Sequence, residues 1–213
     1  MKADLKEAVK KLRESDKRNF TQSVDIIINL KLLDLKKPEH KVDFFITLPK
    51  KIERKVKVCA LVGPELADQA RKVMDNVVVA NDFDKYSKKQ IKKLTEENDY
   101  FIAQATIMQK VATVFGTILG PRGKMPNPKA GCIVPPNANL QPVYQRLQQT
   151  IRLTVKNHPI IHTVIGTERM SDEELVENIN FVYNYLIHHL PQGENNVKSI
   201  FIKYTMGKPV RIM

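Results

Sequence analysis

At Val56 the sequence changes its grammar. Short apolar runs, VKVCALV, VVVA and YFIAQ, begin to alternate with helix-length segments, PELADQARKVM, SKKQIKKL and TIMQKVATVFGTIL. Such alternation marks βαβ units, in which helices join parallel strands and cover both faces of the sheet. VKVCALV and VVVA are nearly continuous in apolar residues, as doubly covered strands should be. A Gly- and Pro-rich stretch, GPRGKMPNPKAGCIVPPNAN, comes next, and PVYQRLQQ reads as another helix.

The flanks read differently. Residues 2–14 place Leu5, Ala8, Val9 and Leu12 at helical spacing among lysines and acids, which predicts a short amphipathic helix. Val24–Leu32 and Val42–Leu48 are β-branched and aromatic runs of strand length, separated by the polar LKKPEHK. Ile151–Val155 and Ile160–Ile165 are two more strand candidates, and VKSIFIKYTM (Val197–Met206) alternates as a last strand. Between them a periodic helix runs from Ser171 to about His188, its start fixed by the SDEE capping box. The ends therefore have antiparallel α+β character and the middle is α/β. The simplest layout is a discontinuous α+β domain over residues 1–62 plus 153–213, with an α/β domain inserted at 63–152. Two chain crossings would then limit relative motion to a hinge or a twist.

With 213 residues and 24.4 kDa there is material for two such domains. Lys and Arg number 35 against 23 Asp and Glu, a net charge of +12, which favours a polyanionic partner. Residues 63–152 hold 13 basic and 8 acidic residues, net +5, and the terminal segments 22 and 15, net +7. Neither domain owns the charge. Its local distribution says more. From Tyr100 to Thr167 there is no acid, while Lys110, Arg122, Lys124, Lys129, Arg146, Arg152 and Lys156 are present, a surface kept positive. Cys59 and Cys132 offer neither a CxxC pair nor zinc-ligand spacing, and read as reduced core residues. The charged N-terminus is no secretory signal, and no window approaches a membrane span, so a cytoplasmic, soluble chain without a membrane partner is expected.

Few segments carry chemistry. GPRGKMPNPK (Gly120–Lys129) sets cations on a backbone stiffened by proline and bent by glycine, suited either to a phosphate or RNA contact or to a rigid turn closing the inserted domain. It is no Walker A loop, because Met125 and Pro126 follow Lys124, and no GxGxxG is present. His158 and His162, four apart, have Pro159 between them and no HExxH glutamate, so they read as strand-end or loop histidines. No nucleophile–base pattern stands out, and neither a metal nor a cofactor is expected. RNFTQSVD (Arg18–Asp25) puts Phe20 among polar groups just before a strand, and TMGKP (Thr205–Pro209) ends the last strand with Gly207 and Met206. Aromatic, hydroxyl and amide groups beside a sheet suit stacking on RNA and reading its 2′-OH groups, provided the two segments converge. Core packing is the other role open to Phe20.

ILGPRGKMPNPKAG (Ile118–Gly131), NFTQSVD (Asn19–Asp25) and YTMGKPVRI (Tyr204–Ile212), in this order, resemble the L-one family of large-subunit ribosomal proteins, and the short termini resemble its archaeal type. The resemblance implies a split β-α-β terminal domain with an inserted Rossmann-like three-layer α/β domain. It implies binding of large-subunit ribosomal RNA at the mobile stalk near the tRNA exit site, contact with exit-site tRNA and help in its release, repression of the chain's own mRNA, and a monomer within the ribosome. It places RNA contacts on Arg18, Asn19, Phe20, Thr21, Ser23, Asp25, Gly166, Thr167, Thr205, Met206, Gly207 and Lys208. Asp25 would accept from a 2′-OH or a base amino group. Arg122, Lys124 and Lys129 would make secondary RNA or domain-interface contacts. Thr167 stands where bacterial members carry Lys, and Lys208 separates Gly207 from Pro209 where the family pattern is TMGP. A nucleotide- or phosphometabolite-binding enzyme built on the central domain is the rival reading, and a basic protein-binding scaffold a third.

Overall fold

A computed structural model describes residues 2–14, 18–34, 37, 40, 42–155 and 157–213; Lys156 and most of LKKPEHK lie outside them. The elements begin with α1 (Lys2–Arg13), β1 (Ser23–Leu30), β2 (Asp43–Thr47), β3 (Val58–Val62), α2 (Pro64–Val73), β4 (Asn76–Val79), α3 (Lys88–Glu97) and β5 (Tyr100–Gln104). They continue with α4 (Met108–Leu119), β6 (Ile133–Val134), α5 (Leu140–Leu147), β7 (Thr150–Thr154), β8 (Ile160–Thr167), α6 (Asp172–His189), β9 (Val197–Tyr204) and β10 (Val210–Arg211).

The chain divides into two compact units, Met1–Arg54 with Gln149–Met213, and Lys55–Gln148. The insertion thus starts before β3 and ends before β7, whereas the sequence reading set its limits at 63 and 152. Strand pairing is the reason. β3 is an inner strand of the parallel sheet, paired with β4 and β5, and β7, which a cut after Arg152 would split, pairs with β2. The side-chain amide of Gln148 marks the junction, accepting from Val56 N (3.0 Å) and donating to Val56 O (2.7 Å).

In the terminal unit an antiparallel sheet runs in the order β10-β9-β1-β8. Strand alternation sends Val24, Ile26, Ile28 and Leu30 of β1 into the core with Ile161, Ile165, Ile200 and Ile202, under α1 and α6. All four periodic residues of α1, Leu5, Ala8, Val9 and Leu12, are buried there. The Ser171–Glu174 capping box starts α6 as its sequence predicts. Deep in this helix Asn178 answers backbone groups that would otherwise be orphaned, accepting from Lys50 N (3.1 Å) and donating to Ile165 O (2.9 Å). The opposite residues of β1 and β9, among them Ile27 and Phe201, stand outside that core, so one face of this sheet is not covered by the helices.

The inserted unit is a parallel sheet, order β4-β3-β5-β6, covered on both sides. Every residue of β3 is buried. Cys59, Leu61, Phe101 and Ala103 pack with Phe83, Ile91 and Phe115 on the α3–α4 side, where the Phe83 and Phe115 rings meet edge to face at 5.1 Å. The alternate residues, Val58, Ala60, Val62 and Ile102, turn to the side of α2 and α5. Burial pushes the Cys59 thiol up to about 12 and that of Cys132 to about 11. Asp75 is half-buried, which opposes its ionisation, but Lys55 Nζ (2.8 Å), Val58 N (3.1 Å) and Tyr144 Oη (3.3 Å) hold its carboxyl below the ordinary value.

Candidate nucleic-acid interface

The two polar segments flanking the sheet do meet, at one end of β1. Register puts Val24 opposite Tyr204 on β9 and opposite Gly166 on β8, so the residues before β1, after β9 and at the end of β8 gather at one edge. Thr205 N donates to Ser23 O (3.0 Å), and Thr205 Oγ1 donates to Asp25 Oδ2 (2.9 Å). Beyond this clasp the chain exposes large apolar groups: Phe20 is 58% and Met206 65% accessible. Phe20 therefore does not pack in the core. Arg18, Asn19, Phe20 and Thr21 line an open groove of about 510 Å³ with Glu168 and Arg169. Lys208 is exposed, and Gly207 N closes a turn on Tyr204 O (2.8 Å).

Three expected contact residues sit deeper than the resemblance implied. Asp25 is only 2% accessible and its Oδ2 already accepts from Thr205, so its visible work is to fix that threonine. Gly166 is buried under α6, where a side chain would run into Leu175 Cδ2 and meet Met170 Sδ at 3.0 Å. Packing against Leu175 and Met170 by itself requires glycine here. Thr167, 4% accessible, lies opposite Ser23, and among the described residues its Oγ1 has no hydrogen-bond partner.

Sequence reasoning overlooked three groups that build this edge. Arg13, at the end of α1, donates to Asp172 Oδ1 (3.0 Å) and to the carbonyls of Glu168 and Met170, pinning the β8–α6 connection. Gln22 continues the pairing beyond β1, its carbonyl accepting from Glu168 N (2.8 Å). His162 sits within β8, its Nε2 3.5 Å from Asp25 Oδ2. Burial pushes the Tyr204 phenol above its ordinary value, and the Arg13 guanidinium opposes that shift. The only sequence signal for Arg13 was its place at the end of a basic helix; for His162 it was strand alternation.

The Gly120–Lys129 loop is tied within its own unit. Lys124 Nζ donates to Thr95 O (2.8 Å) and Asn98 O (2.7 Å), capping the C-terminus of α3, where a cation also complements the helix dipole. Arg122 pairs with Glu96 (2.9 Å) and holds that carboxyl below its usual range, Gly123 takes a left-handed φ of 67°, and Lys129 is exposed. At the C-terminal ends of β3 and β5, where strand order reverses and parallel sheets bind their ligands, the buried Gln104 accepts from Gly63 N (2.8 Å) and donates to Glu65 Oε2 (3.3 Å). A side-chain amide fills this crevice and a carboxylate heads α2, a poor setting for a phosphate.

Fold and surface define a class: two-unit α/β proteins in which a parallel unit interrupts an antiparallel one. Within it, the chain belongs to the ribosomal protein L1p/L10e family, whose model matches residues 9–208. It is similar to proteins named large ribosomal subunit protein uL1 from Nanoarchaeum equitans, at 42% identity over 96% of this chain and 97% of that protein. The proteins of that name from Methanothermobacter thermautotrophicus and Methanobrevibacter smithii match at 41% and 42% over 100% of both chains. The resemblance read from three short segments is thus a family relationship spanning most of the chain, and these three relatives are archaeal, as the sequence suggested. Among the described residues no helix is long and apolar enough to cross a membrane.

Proposed function

We infer that the chain is a structural constituent of the large ribosomal subunit and binds ribosomal RNA through the edge where β1, β8 and β9 end. The observation that carries this reading is the meeting of the two segments at this edge: Thr205 bonds Ser23 O and the buried Asp25, and the joined segments expose Phe20 and Met206. Two exposed apolar groups offer stacking area for bases and riboses, and a threonine held by a buried carboxylate offers a fixed hydroxyl for sugar or base edges. Arg18, Arg169 and Lys208 add phosphate contacts, which bring affinity and salt dependence but little discrimination. Binding is directed by RNA shape and involves no covalent step. The family relationship supports three finer assignments: a place at the mobile stalk near the tRNA exit site, help in releasing deacylated tRNA with Lys129 and Arg122 as secondary contacts, and repression of the chain's own mRNA by a mimic of the ribosomal site.

Gel shift of the full chain on a stalk fragment of large-subunit ribosomal RNA and on an unrelated structured RNA, across a salt series, tests the central claim. Tight binding to the stalk fragment is expected to survive moderate salt. Met206→Ala and Thr205→Ala should each weaken it about tenfold or more while leaving the unrelated RNA nearly unchanged. Equal losses on both RNAs overturn the assignment of these residues. A reporter fused to the chain's own messenger leader tests repression.

A further inference from the structure

The uncovered face of the terminal sheet is not polar in the way a merely solvated face would be. Register aligns Arg211, Phe201, Ile27 and His162 in one row across all four strands. Phe201 and Ile27, partners in the β1–β9 register, are half-buried, yet they stand outside the core cluster beneath the sheet, while Arg211 and His162 at the row's two ends are exposed. The next row places Lys203 and Val164 on either side of Asp25, which leads directly to Thr205 and Met206. The row beyond joins Ile160, Asn29 and Ser199, with Asn29 Nδ2 donating to Ser199 Oγ (2.9 Å).

We propose that this face is a second RNA contact surface, on which the base of an unpaired nucleotide stacks on Phe201 while Arg211 takes its phosphate. The proposal rests on the reading that the chain binds RNA, and it gives the strand a path away from the Phe20/Met206 edge. Charge selects the occupant. Asp25 is the one acidic side chain in the four strands, and it is buried and bonded, so Arg211 and Lys203 have no acidic side chain of these strands left to neutralise them. An aromatic ring on an open antiparallel sheet with cations beside it is the arrangement on which single-stranded nucleic acids stack, whatever their sequence.

The chain has no tryptophan, so Phe201→Trp installs a lone reporter at the stacking position. Titrating the full-length variant with a 12-mer oligouridylate should quench the indole emission, with the midpoint moving to higher RNA as salt rises. Arg211→Glu in the same background should weaken binding about tenfold. Polyglutamate of matching charge should leave the emission unchanged. Emission indifferent to oligouridylate overturns the proposal, as does equal quenching by polyglutamate, which would make the face a site for acidic peptides. Phe201→Leu, which keeps the apolar volume, should lose oligouridylate affinity about tenfold with its unfolding midpoint held; retained affinity overturns stacking. Gel shift of the same variants on the stalk fragment separates the two readings: stalk binding without quenching removes only the sheet face, and loss of both removes RNA binding altogether.

Discussion

The two units solve the same packing problem in opposite ways. In the inserted unit helices lie on both faces of a parallel sheet, and its central strand shows no residue to solvent. In the terminal unit α1 and α6 cover one face of an antiparallel sheet, which leaves the other face and the strand ends to present side chains. The difference teaches where a binding function can reside. A doubly covered sheet can offer a ligand only its loops and helix surfaces, and here the reversal point of strand order is filled by Gln104. A singly covered sheet has an entire face to spare, and the edge built by Phe20, Thr205 and Met206 belongs to it.

Core truncation should break the symmetry between the units most visibly. Phe115→Ala removes a fully buried ring at the centre of the α3–α4 layer and should cost about 3–5 kcal/mol in urea unfolding. Phe201→Ala on the open face should cost within about 1 kcal/mol; equal losses would mean that the face is core after all. Thiol labelling reads the same closure. Burial raises the Cys59 thiol to about 12, so at pH 8 it holds about a thousandfold less thiolate than an ordinary cysteine. A disulfide reagent should leave both cysteines untouched until the protein unfolds, and prompt reaction in the native state would show that the parallel unit opens.

Gly166→Ala sharpens the contrast within the terminal unit. A methyl group there overlaps Leu175, so about 1–3 kcal/mol of stability should be lost, measured by thermal or urea unfolding. Unchanged stability with lost RNA binding would return Gly166 to the interface. The smallest effect is that of acid. The Ser171 backbone N–H and hydroxyl hold the Glu174 carboxyl below its ordinary 4.5, so the cap's stabilisation is present above that value and fades as pH falls through the lowered one. Glu174→Gln, which removes the titrating carboxyl, should remove this step from the stability–pH curve of the terminal unit while leaving that of Asp75 in the inserted unit. A curve unchanged by Glu174→Gln would show that the box is not the source.

What the sequence disclosed is what period and local chemistry encode. Leu5, Ala8, Val9 and Leu12 lie buried where their spacing put them, and Ser171 caps the helix that its glutamate announced. The insertion was legible as a change of grammar, but its limits were not. β3 and β7 are both apolar runs beside the crossings, and only hydrogen-bonded partners decide which sheet claims them. The candidate edge was half legible. Phe20 and Met206 stood out as apolar groups in polar company, whereas the use of Asp25 to hold Thr205, the approach of His162 and the Arg13 clamp join residues more than a hundred positions apart. No local pattern encodes such pairs. Gly166 has a further reason to be glycine that its own neighbourhood in sequence does not show, the packing of Leu175 and Met170 against it.

Gln104 has a meaning beyond the crevice it fills. Most parallel sheets of this construction leave that slot for a metabolite, so their state varies with its supply. This chain has, in effect, brought its own occupant, covalently attached and present from the moment of synthesis. Gly63, whose missing side chain lets the amide come this close, completes an arrangement in which the slot is held by the chain itself, whatever small molecules surround it.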